Sequence, residues 1–179
     1  MTDNFNKALP YLKSLSVLEL LRVHRWTLHK LYDLKVVRTL NAPQADWAER
    51  LVAKAYRGKR AESSAKGYDI IASDQSLLQV KSTVIGKRKR RWSNSSSFRS
   101  EKFNKLVVVI FDAEDLSVRR AAEFSRDEIQ HNLRYQEYVN GSRLVIRDSL
   151  MDAGVDVTAR LQQAAKAIDR ETDVALCER

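Results

Sequence analysis

Residues 66–82 read Lys66-Gly67-Tyr68-Asp69-Ile70-Ile71-Ala72-Ser73-Asp74-Gln75-Ser76-Leu77-Leu78-Gln79-Val80-Lys81-Ser82, and this stretch decides the fold. Two apolar runs flank a short polar turn, the pattern of a β-hairpin. Successive side chains on a strand alternate faces, so Gln79 and Lys81 point one way and Val80 points into the opposite layer. One strand then presents the carboxylate of Asp69, and its neighbour presents an amide and an ammonium. Such a grouping can hold a divalent cation against a phosphate.

The rest of the chain sets bounds on this reading. A length of 179 residues suits one domain with a small appendage, and 44% hydrophobic with 31% charged residues suits a soluble globular protein. A formal charge of +9 favours a polyanionic partner. The single cysteine, Cys177, has no internal disulfide partner, and His24, His29 and His131 do not form a zinc spacing with it. No apolar stretch reaches membrane-spanning length and the first residues are polar, so the expected setting is cytoplasmic.

Apolar residues at three- and four-residue steps predict one long helix from Lys7 to about Val37, with Pro10 in its first turn. After a break at residues 39–43, with Asn41 as a cap, a second helix runs to about Tyr56 and stops at Gly58. Asp46 and Glu49 lie near each other on it, beside an apolar side made by Trp47, Ala48, Leu51, Val52 and Ala55. From spacing alone these two acids read as a solvated edge, partly balanced by Arg50 and Lys54.

Beyond Lys81 the chain carries Lys87-Arg88-Lys89-Arg90-Arg91, then Trp92 and a serine-rich segment, then Phe98, Arg99 and Lys102. Without the five consecutive basic residues the formal charge falls from +9 to +4. A run of like charge this close to Lys81 predicts contact with a phosphate backbone, with Lys66 as a further contact and Trp92 or Phe98 free to stack. Such contacts position a nucleic acid without reading its sequence.

Lys105 to Phe111, apolar at every position after the lysine, reads as a central strand buried on both faces. Ser117 to Phe124 pairs with it, and Ser125-Arg126-Asp127-Glu128 has the form of a capping box opening a helix to about Leu133. A second hairpin follows, with strands near 135–138 and 144–146 turning at Asn140-Gly141. A short helical turn over 148–151 and a last amphipathic helix, fraying from Asp169, complete the chain.

Asp69 followed by Gln79-Val80-Lys81 resembles the D-x(n)-(D/E/Q)-x-K core of the PD-(D/E)XK nuclease superfamily. The order Asn41, Asp46, Glu49, Gly67-Tyr68-Asp69, Gln79-Val80-Lys81-Ser82 is also similar to a group of small bacterial proteins with this core. The resemblance covers roughly residues 36 to 150 and is strongest over 41 to 82. Two positions depart from it: no proline precedes Asp69, and Gln79 stands where an acid is usual. It implies an α/β fold with a restriction-endonuclease-like αβββαβ core and a mixed central sheet. A long N-terminal helix would precede this core, and a hairpin and helix would follow it. The expected division is residues 1–40 as helical extension, 41–150 as nuclease core and 151–179 as C-terminal helix and tail, in a single domain.

The activity the resemblance implies is Mg²⁺-dependent hydrolysis of phosphodiester bonds in double-stranded DNA, of restriction or defence type, with Mn²⁺ as an alternative ion. Asp69, Glu49, the Val80 carbonyl and Gln79 would form the metal site. Lys81 would contact the phosphate and the attacking water. Lys66, Lys87, Arg88, Lys89, Arg90, Arg91, Trp92, Arg99 and Lys102 would contact nucleic acid, and the first helix would offer a homodimer surface. The competing readings are a DNA-binding module of the same fold without cleavage, an RNA-acting protein, and a basic architectural protein in which Asp69 and Lys81 form an ordinary ion pair.

Overall fold

A strand that is apolar at every position can satisfy its backbone only inside a sheet and its side chains only between two layers. That requirement organises the computed structural model of the chain, which describes residues 4–62, 67–86, 93–95, 97–98 and 102–177. The strands are β1 (Lys59–Arg60), β2 (Ile70–Ile71), β3 (Leu77–Ile85), β4 (Ser93–Asn94), β5 (Lys105–Asp112), β6 (Val118–Ser125), β7 (Leu133–Gln136), β8 (Gly141–Ile146) and β9 (Val155–Asp156). The helices are α1 (Asn4–Lys13), α2 (Val17–Asp33), α3 (Gln44–Ala55), α4 (Arg126–Gln130), α5 (Asp148–Ala153) and α6 (Thr158–Cys177). The fold is mixed α/β.

Six strands form one sheet in the order β1-β2-β3-β5-β6-β9. Only β3 and β5 pair in parallel; the other neighbours are antiparallel. The apolar β5 lies inside the sheet as expected, and alternation splits its side chains between two cores. Val107, Val109 and Phe111 join Leu78 and Val80 of β3 under α3 and α6. Leu106, Val108 and Ile110 face the other way, onto Phe98, Phe103, Leu144, Ile146 and Met151. That second layer is built on a three-stranded sheet, β4-β8-β7, with α4 and α5.

Contacts group the chain into two compact units, Met1–Pro43 and Gln44–Arg179. In the first, the long helix expected over 7–37 is two helices. Ser16 caps α2 in a capping box: its Oγ accepts from the Glu19 N–H, and its own N–H donates to the Glu19 carboxylate at 2.8 Å. A cap of this kind starts a new helix and so ends the continuous periodicity. Pro10 also sits inside α1 and not in its first turn, because that helix begins at Asn4.

Other boundaries move for local reasons. The left-handed residue that closes α3 is Arg57 (φ 49°), not Gly58. Gly58 donates to the Ala53 carbonyl at 2.8 Å, and Arg57 donates to that of Lys54 at 3.2 Å, a Schellman closure. Glycine is required at 58 for room: a Cβ there would lie 2.4 Å from the Ile71 carbonyl oxygen. The capping box at Ser125 and Glu128 forms as expected, but α4 stops at Gln130 and Leu133 opens β7. The hairpin from β7 to β8 pairs Gln136 with Gly141, so its loop spans 137–140 and Gly141 belongs to the strand. Asn140 takes the left-handed turn (φ 42°). The last helix continues past Asp169 to Cys177. Among the described residues no helix is long and apolar enough to cross a membrane.

Candidate active site

The hairpin predicted over 66–82 is present, with Ile70 opposite Leu78 and Ile71 opposite Leu77. Asp69 stands just before β2, after a left-handed Gly67 (φ 96°) that lets the chain turn into the strand. Its N–H donates to the Leu78 carbonyl at 2.8 Å, and its own carbonyl accepts from Ala61 at 2.8 Å. The backbone of Asp69 is thereby fixed on both sides. Its carboxylate reaches over to β3, where Oδ2 accepts the Val80 N–H at 2.7 Å and the Gln79 side-chain amide.

The parallel ladder fixes what β3 presents. Leu77 exchanges backbone bonds with the Asn104 segment at the start of β5: its carbonyl accepts the Asn104 N–H at 2.8 Å, and its N–H donates to Asn104 Oδ1 at 2.7 Å. Backbone groups alternate sides along a strand, so Gln79 and Lys81 direct theirs toward β5, and Leu78 and Val80 toward β2. The Val80 carbonyl therefore lies on the edge of β3 that Asp69 occupies. The side chains sort the other way: Gln79 and Lys81 share the face of their partners Leu106 and Val108, toward the small sheet.

Lys81 is only 8% exposed. Its ammonium lies 4.5 Å from the centre of the Phe98 ring and donates to the Ser97 carbonyl at 3.4 Å. Burial pushes its pKa below the usual lysine value, and the carboxylates of Asp69 and then Glu49 oppose that shift. Glu49 thus belongs to the electrostatic surroundings of Lys81, carried there by α3. That helix packs its Ala48, Leu51 and Val52 on β3, and Ser82 Oγ donates to the Gln44 carbonyl at 3.5 Å. Asp46, the lesser acidic candidate of α3, is buried.

The structure so brings together Asp69, Gln79, the Val80 backbone, Lys81 and Glu49, drawn from α3, the β2 entry and β3. Their oxygens are hard donors, the type Mg²⁺ and Mn²⁺ take. Gln79 turns its NH₂ to Asp69, so here it holds the carboxylate, and its own oxygen is the atom left to meet a metal. Among the described residues no three His, Cys, Asp or Glu side chains group as a metal cluster, in keeping with an amide at position 79. The donor set fits a weakly held divalent cation better than a tightly held one.

No protein-family model matches the chain, and no curated protein matches its sequence. The chemistry of the site therefore rests on its own geometry.

Several expected contacts fall elsewhere. Lys66, Lys87, Arg88, Lys89, Arg90, Arg91, Trp92 and Arg99 lie outside the described residues. Lys102 is exposed. Phe98 is not free to stack on a base: it is 4% exposed, packed 6.0 Å from Phe103 and covering Lys81. Its bridge to Ser142 seats it in the second core, a long-range contact that its serine-rich neighbours do not announce. Sequence reasoning also missed the role of Asn104, although an Asx residue just before a strand is a local signal for such a bond.

A second polar cluster lies under α3 and α6. Tyr56 donates to Glu123 at 2.5 Å, Lys105 pairs with Glu123 at 2.9 Å, and Arg160 stacks 3.9 Å from the Tyr56 ring centre. Burial first, then the bond to Glu123, pushes the Tyr56 phenol far above its ordinary pKa, so it stays a donor. This cluster ties α3 and α6 to the sheet.

Proposed function

We propose that the protein is a metal-dependent endonuclease that hydrolyses phosphodiester bonds in double-stranded DNA, of restriction or defence type, with a restriction-endonuclease-like arrangement of its core. The observation that carries this reading is the buried Lys81 beside the Asp69 and Glu49 carboxylates, next to the β3 edge to which the Asp69 carboxylate is bonded. A titratable group perturbed by burial beside carboxylate partners is a candidate reaction-site residue.

In this reading Asp69 is held in place by the Val80 N–H and the Gln79 amide, both of which donate to Oδ2. Asp69, Glu49 and the Val80 carbonyl would hold Mg²⁺ or Mn²⁺, with Gln79 as a weak ligand or as an orienter of water. When bound, such an ion polarises a phosphate and makes its water more acidic. Lys81 places positive charge against the phosphate oxygens as negative charge builds on them.

One observation favours a second reading, a DNA-binding module without cleavage. The amide of Gln79 donates to Asp69 directly, so this carboxylate oxygen has a partner without a cation. Supercoiled plasmid, modified and unmodified, incubated with Mg²⁺, Mn²⁺ or EDTA separates the two. The nuclease reading expects metal-dependent nicked or linear products that vanish in Lys81→Ala. Intact plasmid with retained gel-shift binding removes the catalytic reading and leaves the binding module.

A further inference from the structure

The three-stranded sheet that covers Lys81 has an outer face, and that face is strongly basic. Leu133 and Leu144 are partners across β7 and β8, and both pack in the core. Alternation turns Arg134, Arg143 and Val145 to the opposite, outer side. Arg147 follows them, because its backbone is still extended (φ −139°, ψ 159°). The positions of β7 and β8 that share this side are Arg134, Gln136, Gly141, Arg143 and Val145, and none is acidic.

Arg134 and Arg143 stand directly opposite each other, an arrangement of like charges that destabilises a strand pair. Among the described residues, Nε of Arg143 is buried and has no hydrogen-bond partner. Of that opposed pair, Arg134 lines a pocket of about 170 Å³, together with His131, Asn132, Val145 and Arg147. Two arginines, a histidine and an asparagine stand among its lining residues. Guanidinium donors in a fork match the oxygens of a phosphate better than those of any neutral ligand.

We infer that this pocket binds a phosphate group. Resting on the nuclease reading, that phosphate belongs to the backbone of the nucleic acid held at Lys81, on a segment outside the cleavage site. The same small sheet carries both: Phe98, which covers Lys81, bridges to Ser142 on β8, and Val145 of that strand lines the pocket. The pocket thus lengthens the footprint on nucleic acid without adding any base contact.

Two measurements test it, with circular dichroism confirming that each variant is folded. The first is fluorescence anisotropy of a labelled duplex in EDTA over a series of salt concentrations, for wild type, Arg134→Gln and Arg134→Gln/Arg147→Gln. The expected result is weaker binding and a log–log salt slope shallower by about 1 to 2, at roughly 0.9 for each phosphate that the variant no longer neutralises. The second is titration of wild type with inorganic phosphate, followed by the ring resonances of His131, which should shift and should stop shifting in Arg134→Gln. Unchanged affinity and slope in the folded variants overturn the backbone contact. If the wild type binds no duplex at all, the nuclease reading fails by itself. A His131 shift would then keep the pocket as a site for a free phosphorylated molecule, and its absence would overturn the pocket.

Discussion

Taking an ammonium out of water costs several kcal/mol unless charge and dipoles replace the lost hydration. Around Lys81 that replacement is partial, from the Phe98 face, the Ser97 carbonyl, Asp69 and Glu49, and the pKa stays below the ordinary lysine value. The unfolded chain therefore holds its proton to higher pH than the folded one, and stability must rise as pH climbs through the lowered folded pKa toward 10.5. Urea unfolding of wild type and Lys81→Met at pH 7, 8.5 and 10 should show the difference moving in favour of the wild type as pH rises. A flat difference would mean that Lys81 is not desolvated. Gln79 tests the neighbouring oxygen. In Gln79→Glu, Asp69 loses a donor and gains a like charge, so the variant should lose about 1 to 3 kcal/mol in EDTA. It should also gain more in melting temperature on adding Mg²⁺ than the wild type does, since a new carboxylate favours the cation. Thermal melts with and without metal read both effects.

At the scale of elements, β3 and β5 align the site, and β5 is held by burial on both faces. Phe111 is fully buried under α3 and α6, and Phe111→Ala should cost about 3 to 5 kcal/mol by urea denaturation. A loss well under 2 kcal/mol would show that the layer collapses to fill the space. The hairpin from β2 to β3 depends on α3 closing tightly behind it. Gly58 sits against Ile71 and Ala72 with no room for a methyl group, so Gly58→Ala should shift β2 and, with it, Asp69. Under the proposed nuclease reading, metal-dependent cleavage should fall in that variant more steeply than melting temperature does.

Across the whole molecule, both core clusters draw their members from residues 48–168. A fragment of residues 44–179 therefore contains every side chain that those cores require. It should unfold in one cooperative thermal transition by circular dichroism. A broad, non-cooperative melt would show that the cores need residues 1–43.

Local pattern was enough for much of this. Alternation set Gln79 and Lys81 on one face, an apolar run set β5 between two layers, and Ser125 with Glu128 set the start of α4. Each depends on residues a few positions apart, whose preferences act before any distant contact forms. The sequence by itself thus determined the hairpin and the identity of the groups that Asp69, Gln79 and Lys81 bring to it. Local periodicity misread the first helices, because a cap at Ser16 outweighs a continuing apolar repeat. Only the tertiary structure decided the parallel pairing of β3 with β5, the approach of Glu49 to Lys81 and the burial of Phe98 over the ammonium. It also decided the gathering of Arg134, Arg147 and His131 around one pocket. These hinge on which layer each element packs against, a choice made by burying apolar area between segments far apart in the chain, and no short window of sequence contains both partners.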